Sequence, residues 1–231
     1  MRLVTWNIRF AVGTNLRPSA ARVLDALDSF APDVVFLQEA EARFGGRPSS
    51  LPLDEVAARG WTPVRAGSDR NIGYRGNGIL LRGSWAGADV GHLPLRGFET
   101  RGALLARLSG PLGPVSVACV HLGLLGFHRY AQLHAVMYAL AERPPPYLIV
   151  GDTNAWRAWA TLPLPTGWSS CVPGPTYPSR RPVFGLDRVL VGPGLRVIAA
   201  EVLRDGFDRR ASDHLPVGAT VTSDRGRQTA S

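Results

Sequence analysis

Eight polar side chains stand where apolar runs of this sequence begin or end. Asn7 closes TWNIR, Glu39 closes FLQE, and His121 lies in VACVHL. Asp152 and Asn154 follow YLIV in GDTN, Asp187 opens LDRVLV, and Asp213 and His214 precede LPV. Each has a plain structural reading: an Asn at a strand end forms turns, a Glu there meets solvent, and a single buried His satisfies a core hydrogen bond. The set has no common structural explanation, but it has a common chemical one. Asn, Glu and Asp are oxygen ligands suited to a hard cation such as Mg²⁺, and no Cys/His spacing offers a zinc site instead. Hydrolysis of a phosphoester needs an activated water, a carboxylate to take its proton, and donors for the charge on the phosphorus oxygens. An Asp paired with a His orients that imidazole and favours its protonated form. Asp152 and Asn154, two residues apart, share one side of the chain if the backbone there is extended.

The elements that must position these residues are short. RLVTWNI, DVVFLQE, GILLR, ALLARL, PVSVACVHL, YLIVGD, LDRVLV and LPVGATV are β-rich runs bounded by Gly, Pro, Asn or Asp. In this reading SDH begins the last strand. Ser19 caps a helix whose Val23, Leu24, Leu27 and Phe30 share a face. A second helix, from about Phe127 to Glu142, places Tyr130, Leu133, Met137 and Leu140 at helical spacing and stops at Pro144-Pro145-Pro146. Strands outnumber helices, which implies sheets covered by helices in a layered α/β arrangement.

Composition narrows the class. The 231 residues suffice for one large domain, expected over residues 1–222, with a polar tail over 223–231. No apolar run reaches the ~20 residues of a membrane helix, and the N-terminus lacks a secretory pattern. The two cysteines, Cys119 and Cys171, have no redox or metal spacing; Cys119 falls in an apolar run as a core residue, and a reducing cytoplasm is the expected location. Net charge is +8 with every basic residue an Arg. Guanidinium groups suit phosphate oxygens, whether of nucleic acid, lipid headgroup or small molecule.

With the ordered motifs WN, QE, GNGILLR, HLG followed by Arg and Gln, GDxN, LDR and SDH, the chain resembles the endonuclease/exonuclease/phosphatase superfamily, the metal-dependent hydrolases with a deoxyribonuclease I-like fold. HLGLLGFHRYAQL, GDTNAW and TYPSRRPVFGLDRVLV look most like a compact bacterial branch, some of whose members are associated with phospholipid metabolism. The resemblance implies two mixed β-sheets packed as a sandwich with helices outside, in four layers. It implies Mg²⁺, or Mn²⁺ in its place, with Glu39 as principal ligand, Asn7 beside it and Asp213 contributing. Asp152 would activate or position water, Asn154 orient water and phosphate, and His121 contact a phosphate oxygen. Asp187 would hydrogen-bond His214, which would stabilise the transition state. Arg9, Asn77 and Arg101 match weaker substrate-phosphate positions, while Arg129 and Gln132 fit structural roles better.

The implied activity is metal-dependent phosphoester hydrolysis, most of all of a small-molecule or lipid phosphodiester; the alternative is a DNA or RNA nuclease. Thr153 and Ala155 depart from the branch pattern, and only 30 residues separate His121 from Gly151, leaving little room for a DNA-penetrating loop. Trp156, Trp159 and Trp168 could rim the site, with core packing expected for at least one.

Overall fold

The computed structural model describes residues 1–42, 46–65, 70–156 and 164–224. In chain order the elements are β1 (Arg2–Asn7), α1 (Ala20–Phe30), β2 (Val34–Gln38), α2 (Leu53–Ala58), β3 (Thr62–Pro63), β4 (Gly73–Tyr74), β5 (Asn77–Leu81), β6 (Ala86–Leu95), β7 (Arg101–Ser109) and β8 (Val115–His121). There follow α3 (Gly126–Ala141), β9 (Tyr147–Asp152), β10 (Ser169–Cys171), β11 (Asp187–Val191), β12 (Leu195–Val202) and β13 (Val217–Ser223). One sheet runs β12-β13-β1-β2-β5-β3, with β4 also on β5, and the other runs β10-β11-β9-β8-β7-β6. Each is mixed, because β1 and β2 are parallel in the first and β8 and β9 in the second.

Strand periodicity explains the layers. Leu3, Val34, Phe36 and Ile79 of the first sheet meet Leu104, Val117, Cys119, Val150 and Val189 of the second in a core between the sheets. The alternate residues Val4, Trp6, Val35 and Leu37 turn outward onto Val23, Leu24 and Leu27 of α1 and Val56 of α2. On the far side Leu105, Ala118, Val120, Ile149 and Leu190 receive Leu133, Val136, Met137 and Leu140 of α3. Burial on both faces is why these strands read as continuous apolar runs. The order helix, sheet, sheet, helix is the four-layer sandwich expected. Among the described residues no helix is long and apolar enough to cross a membrane.

Several expectations need correction. Tyr130 does not share the buried face of α3 and is 49% exposed, its place being taken by Gln132 and Val136. The last strand starts at Val217, so Asp213 and His214 sit in the turn before it. Ser223, assigned to the tail, is still in β13. The edge strands β6 and β12 and the six-residue helix α2 were not anticipated.

Candidate active site

The periodicity that fills the core also delivers the polar residues. In β8 the inward set is Val117, Cys119 and then His121; in β9 it is Leu148, Val150 and then Asp152. In β11 Asp187 shares a face with Val189 and Val191, and in β1 Asn7 lies four residues after Leu3 on the same face. Register then aligns them: His121 pairs with Asp152 across the parallel ladder, and Asp152 pairs with Asp187 across the antiparallel one. In the facing sheet Asn7 pairs with Gln38, which puts Glu39 one residue past the strand. The residues therefore collect at one rim of the sandwich.

Gly151 allows this pairing. Its φ is +146°, and a Cβ there would lie 2.0 Å from the carbonyl oxygen of Val120. Only glycine lets β9 lie this close to β8 immediately before Asp152.

Asp152 is at the centre. Its Oδ2 accepts from Asn7 Nδ2 at 3.1 Å and faces His121 Nε2 at 3.4 Å and His214 Nε2 at 3.8 Å. Its Oδ1 accepts the backbone N–H of Asn154 at 2.9 Å. Burial raises its pKa from 3.8 to about 6, with the charge of His214 pulling the other way. A carboxyl titrating there is a base matched to neutral pH. Asn154 has φ +49°, so the backbone turns there instead of staying extended, and it is the Asn154 N–H that meets the Asp152 side chain. The Asn154 amide donates to the carbonyl of Leu122 at 2.8 Å, fixing the turn to the end of β8.

The two histidines are held in opposite states. His214 Nδ1 lies 3.0 Å from Asp187 Oδ2, so Asp187 and His214 form the expected pair. Burial alone would lower the imidazole pKa; Asp187 and Asp152 outweigh it and raise it to about 10, so His214 is a cation at neutral pH. His121 Nδ1 lies 2.9 Å from a guanidinium nitrogen of Arg101. Arg can only donate, so this nitrogen accepts, and the proton of His121 sits on Nε2, towards Asp152. Arg101 thus meets the site through His121.

The remaining candidates divide. Arg9 pairs with Asp213 at 3.4 Å, and its N–H donates to Asn7 Oδ1 at 3.1 Å, so Arg9, Asp213 and Asn7 are linked. Arg9, Phe10 and Ala11 all have positive φ, an unusual run for non-glycine residues beside a site. Glu39 also has positive φ, is half-buried, and its carbonyl accepts from Phe10 N at 2.8 Å. Asn77 stands apart: its amide donates to the carbonyls of Gly102 and Tyr74, and its oxygen faces the Cys119 thiol. Cys119 itself is buried, its pKa pushed up to about 12 by burial.

Gln132 is a buried brace. Its side chain accepts from Gly123 N at 2.7 Å and donates to Arg96 O at 2.9 Å. Trp168 stacks on Tyr147 at 6.1 Å against the α3 core, and Trp156 packs edge-on to Tyr177 and Phe184. Trp159 lies outside the described residues.

Sequence reasoning missed three supports. Thr176 Oγ1 donates to Asp187 Oδ2 at 2.5 Å, and the Tyr177 ring packs on His214 with centroids 4.9 Å apart. Ser212 Oγ donates to the Asn7 carbonyl at 2.6 Å and accepts His214 N–H at 3.2 Å. Thr176 and Tyr177 belong to the TYPS stretch, where a sequence signal did exist.

The donor chemistry fits a hard divalent cation. Asn7, Glu39 and Asp213 supply oxygen atoms, and Asp187 Oδ1 is buried without a hydrogen-bond partner among the described residues. Asp152, Asp187 and His214 also present ligand atoms within 4.8 Å of one another. In that trio Nδ1 of His214 is already engaged with Asp187, so it acts as a proton-holding pair beside the oxygen donors.

A two-sheet sandwich with carboxylates, amides and paired histidines at one rim is the frame of a DNase I-like phosphoester hydrolase. The sequence model of the Endonuclease/Exonuclease/phosphatase family matches residues 4–214, and the chain belongs to that family. It is 29% identical over 218 residues to the uncharacterized protein YbhP of Escherichia coli (strain K12), covering 85% of this chain and 86% of that protein. Among solved structures, D. rerio TDP2 complexed with single-strand DNA product superposes with a TM-score of 0.74 at 20% identity, over 96% of this chain and 98% of that one. An endonuclease/exonuclease/phosphatase from Beutenbergia cavernae DSM 12333 gives a TM-score of 0.71 at 24% identity, over 96% and 71%.

Proposed function

We propose that the protein is a divalent-metal-dependent phosphodiesterase acting on a small-molecule or lipid phosphodiester. The observation that carries this reading is the convergence on Asp152 Oδ2 of Asn7, neutral His121 and cationic His214. Glu39, Asn7 and Asp213 would hold Mg²⁺, or Mn²⁺ in its place. Such a cation, when bound, supplies Lewis acidity to phosphate oxygens and lowers the pKa of water.

Asp152 takes the proton as a water oxygen bonds to phosphorus and the bond to the leaving oxygen breaks. That proton then returns to the leaving oxygen, releasing an alcohol and a phosphomonoester. Asn154 orients water and phosphate. His121 Nε2–H and the His214 imidazolium donate to the non-bridging oxygens, where negative charge grows. Asp187, tied by Thr176, keeps His214 charged and aimed. Arg9 and Arg101 would offset phosphate charge, Arg9 from beside Asn7 and Asp213 and Arg101 from beside His121.

A nuclease is the second reading. The net charge of +8 favours it, as does likeness in fold to TDP2, whose structure holds a single-strand DNA product. Salt separates the two, because neutralising several nucleic-acid phosphates releases counterions and makes binding fall steeply as salt rises. The test is turnover by metal-stripped and Mg²⁺-restored protein on a glycerophosphodiester, a phospholipid, single-stranded DNA and an abasic-site duplex. Full activity after metal removal, or in Glu39→Ala, would count against the proposal.

A further inference from the structure

Nine large apolar side chains are exposed among the described residues, and five lie on one shoulder of the active rim. They are Phe98 (82% exposed), Leu124 (47%), Leu125 (40%), Phe127 (67%) and Tyr130 (49%). Phe98 comes from the β6–β7 connection, and the others come from the segment that leaves β8 and the first turns of α3. The rings of Phe98 and Phe127 both flank His128, with centroids 5.1 and 4.2 Å from it. Gln132 clamps both segments from below, and Glu99 Oε1 accepts Leu124 N–H at 3.1 Å. Gln132 thus ties the backbone beside Phe98 to the backbone before Leu124, and an exposed apolar patch of this kind marks an interaction surface.

The shoulder continues directly into the site. Leu122, whose carbonyl holds Asn154, lies between His121 and the exposed leucines. Its border is basic. Arg96 is exposed beside Phe98, and Arg129 reaches the Leu124 carbonyl. Of the neighbouring acid, Glu99, Oε1 accepts the Leu124 N–H and Oε2 has no hydrogen-bond partner among the described residues; burial would raise its pKa, but that N–H and Arg101 keep it below its usual value.

We propose that this shoulder docks on the surface of an anionic lipid bilayer and sets the active rim against the headgroup phosphates. Apolar side chains bordered by guanidinium groups match an interface of acyl chains beneath anionic phosphates. Leu124 and Leu125 contribute contact with acyl chains and have no ring face for stacking on bases, which favours lipid over single-stranded nucleic acid. This deepens the phosphodiesterase reading and rests on it for its purpose, while the docking itself can be measured alone.

The experiment is sedimentation of the full chain with vesicles of phosphatidylcholine, alone or mixed with phosphatidylglycerol. Wild type should bind the mixed vesicles, and Phe98→Ala/Phe127→Ala should bind them about tenfold or more weakly. Arg96→Gln should weaken binding to mixed vesicles only, as added salt should. Turnover of a soluble aryl phosphodiester should be unchanged in the double variant, which also shows that it folds. Wild type that ignores mixed vesicles, or a double variant that binds like wild type, would overturn the proposal. So would a double variant that loses only binding of a single-stranded oligonucleotide. Vesicle binding that behaves as expected in a protein cleaving no diester would leave the docking surface standing and remove the phosphodiesterase reading.

Discussion

Replacing Gly151 by Ala tests how the site is built, because one methyl group would act on both fold and chemistry. The new Cβ would sit 2.0 Å from the Val120 carbonyl oxygen and 3.1 Å from Gln38 Nε2, at a φ of +146°. Backbone strain there costs about 1–3 kcal/mol. Overpacking against main chain adds about 1–3 kcal/mol. Destabilisation of about 4 kcal/mol is therefore expected. Relief requires the end of β9 to move off β8, and His121 and Asp152 are the next pair in that ladder, 3.4 Å apart. A shift of about 1 Å there should lower turnover by roughly 100-fold. Gly60→Ala is the control, since Gly60 has a φ of +78° with nothing within 4 Å of its added Cβ. It should cost about 1–2 kcal/mol and leave turnover intact. Urea unfolding and diester turnover of the two variants measure both effects. Gly151→Ala with the stability of Gly60→Ala and full activity would refute the reasoning.

Other outcomes follow from the same geometry. The folded-state pKa of His214 is raised, so in metal-free protein its stabilisation is complete below about pH 6.5 and is lost as pH rises through about 10. Asp187→Asn should flatten that alkaline dependence in denaturation curves. Arg101→Met should release the tautomer of His121, so ¹⁵N NMR should show the proton shared between the ring nitrogens, with reduced turnover partly rescued by Arg101→Lys. Gln132→Ala removes two hydrogen bonds beneath the α3 shoulder and should cost about 1–3 kcal/mol in urea unfolding. Cys119 should resist thiol reagents until the protein unfolds, as its burial and raised pKa require.

What could be read from sequence alone was decided by burial. Strands packed on both faces, such as β2 and β8, show as apolar runs, and a polar residue continuing the inward alternation stands out at their ends. Asn7, His121, Asp152 and Asp187 were visible for that reason. Strands β6 and β12 lie at sheet edges and are exposed or half-buried at all but one residue each; Gly87, Gly91 and Pro94 in β6 further weaken its pattern. The helix α2 is too short to show a period. Asp213 and His214 were assigned to a strand because LPV follows them, yet pairing starts only after Pro216. The partnership of Arg101 with His121 and the contacts of Thr176 and Ser212 depend on registers between distant segments, which no local pattern encodes. Asn77 came from the family resemblance as a weaker substrate-phosphate position, and no local pattern showed that its amide donates to the carbonyls of Tyr74 and Gly102.

The proposed function requires that a phosphodiester be cleaved at the Asp152 cluster with a divalent cation. Turnover of an aryl phosphodiester by metal-stripped protein, with Mg²⁺ titrated back, tests it in wild type and in Asp152→Asn. Activity should be absent without metal, return with Mg²⁺ in wild type, and stay lost in the variant. Equal cleavage with and without metal, or a variant as active as wild type, would contradict it.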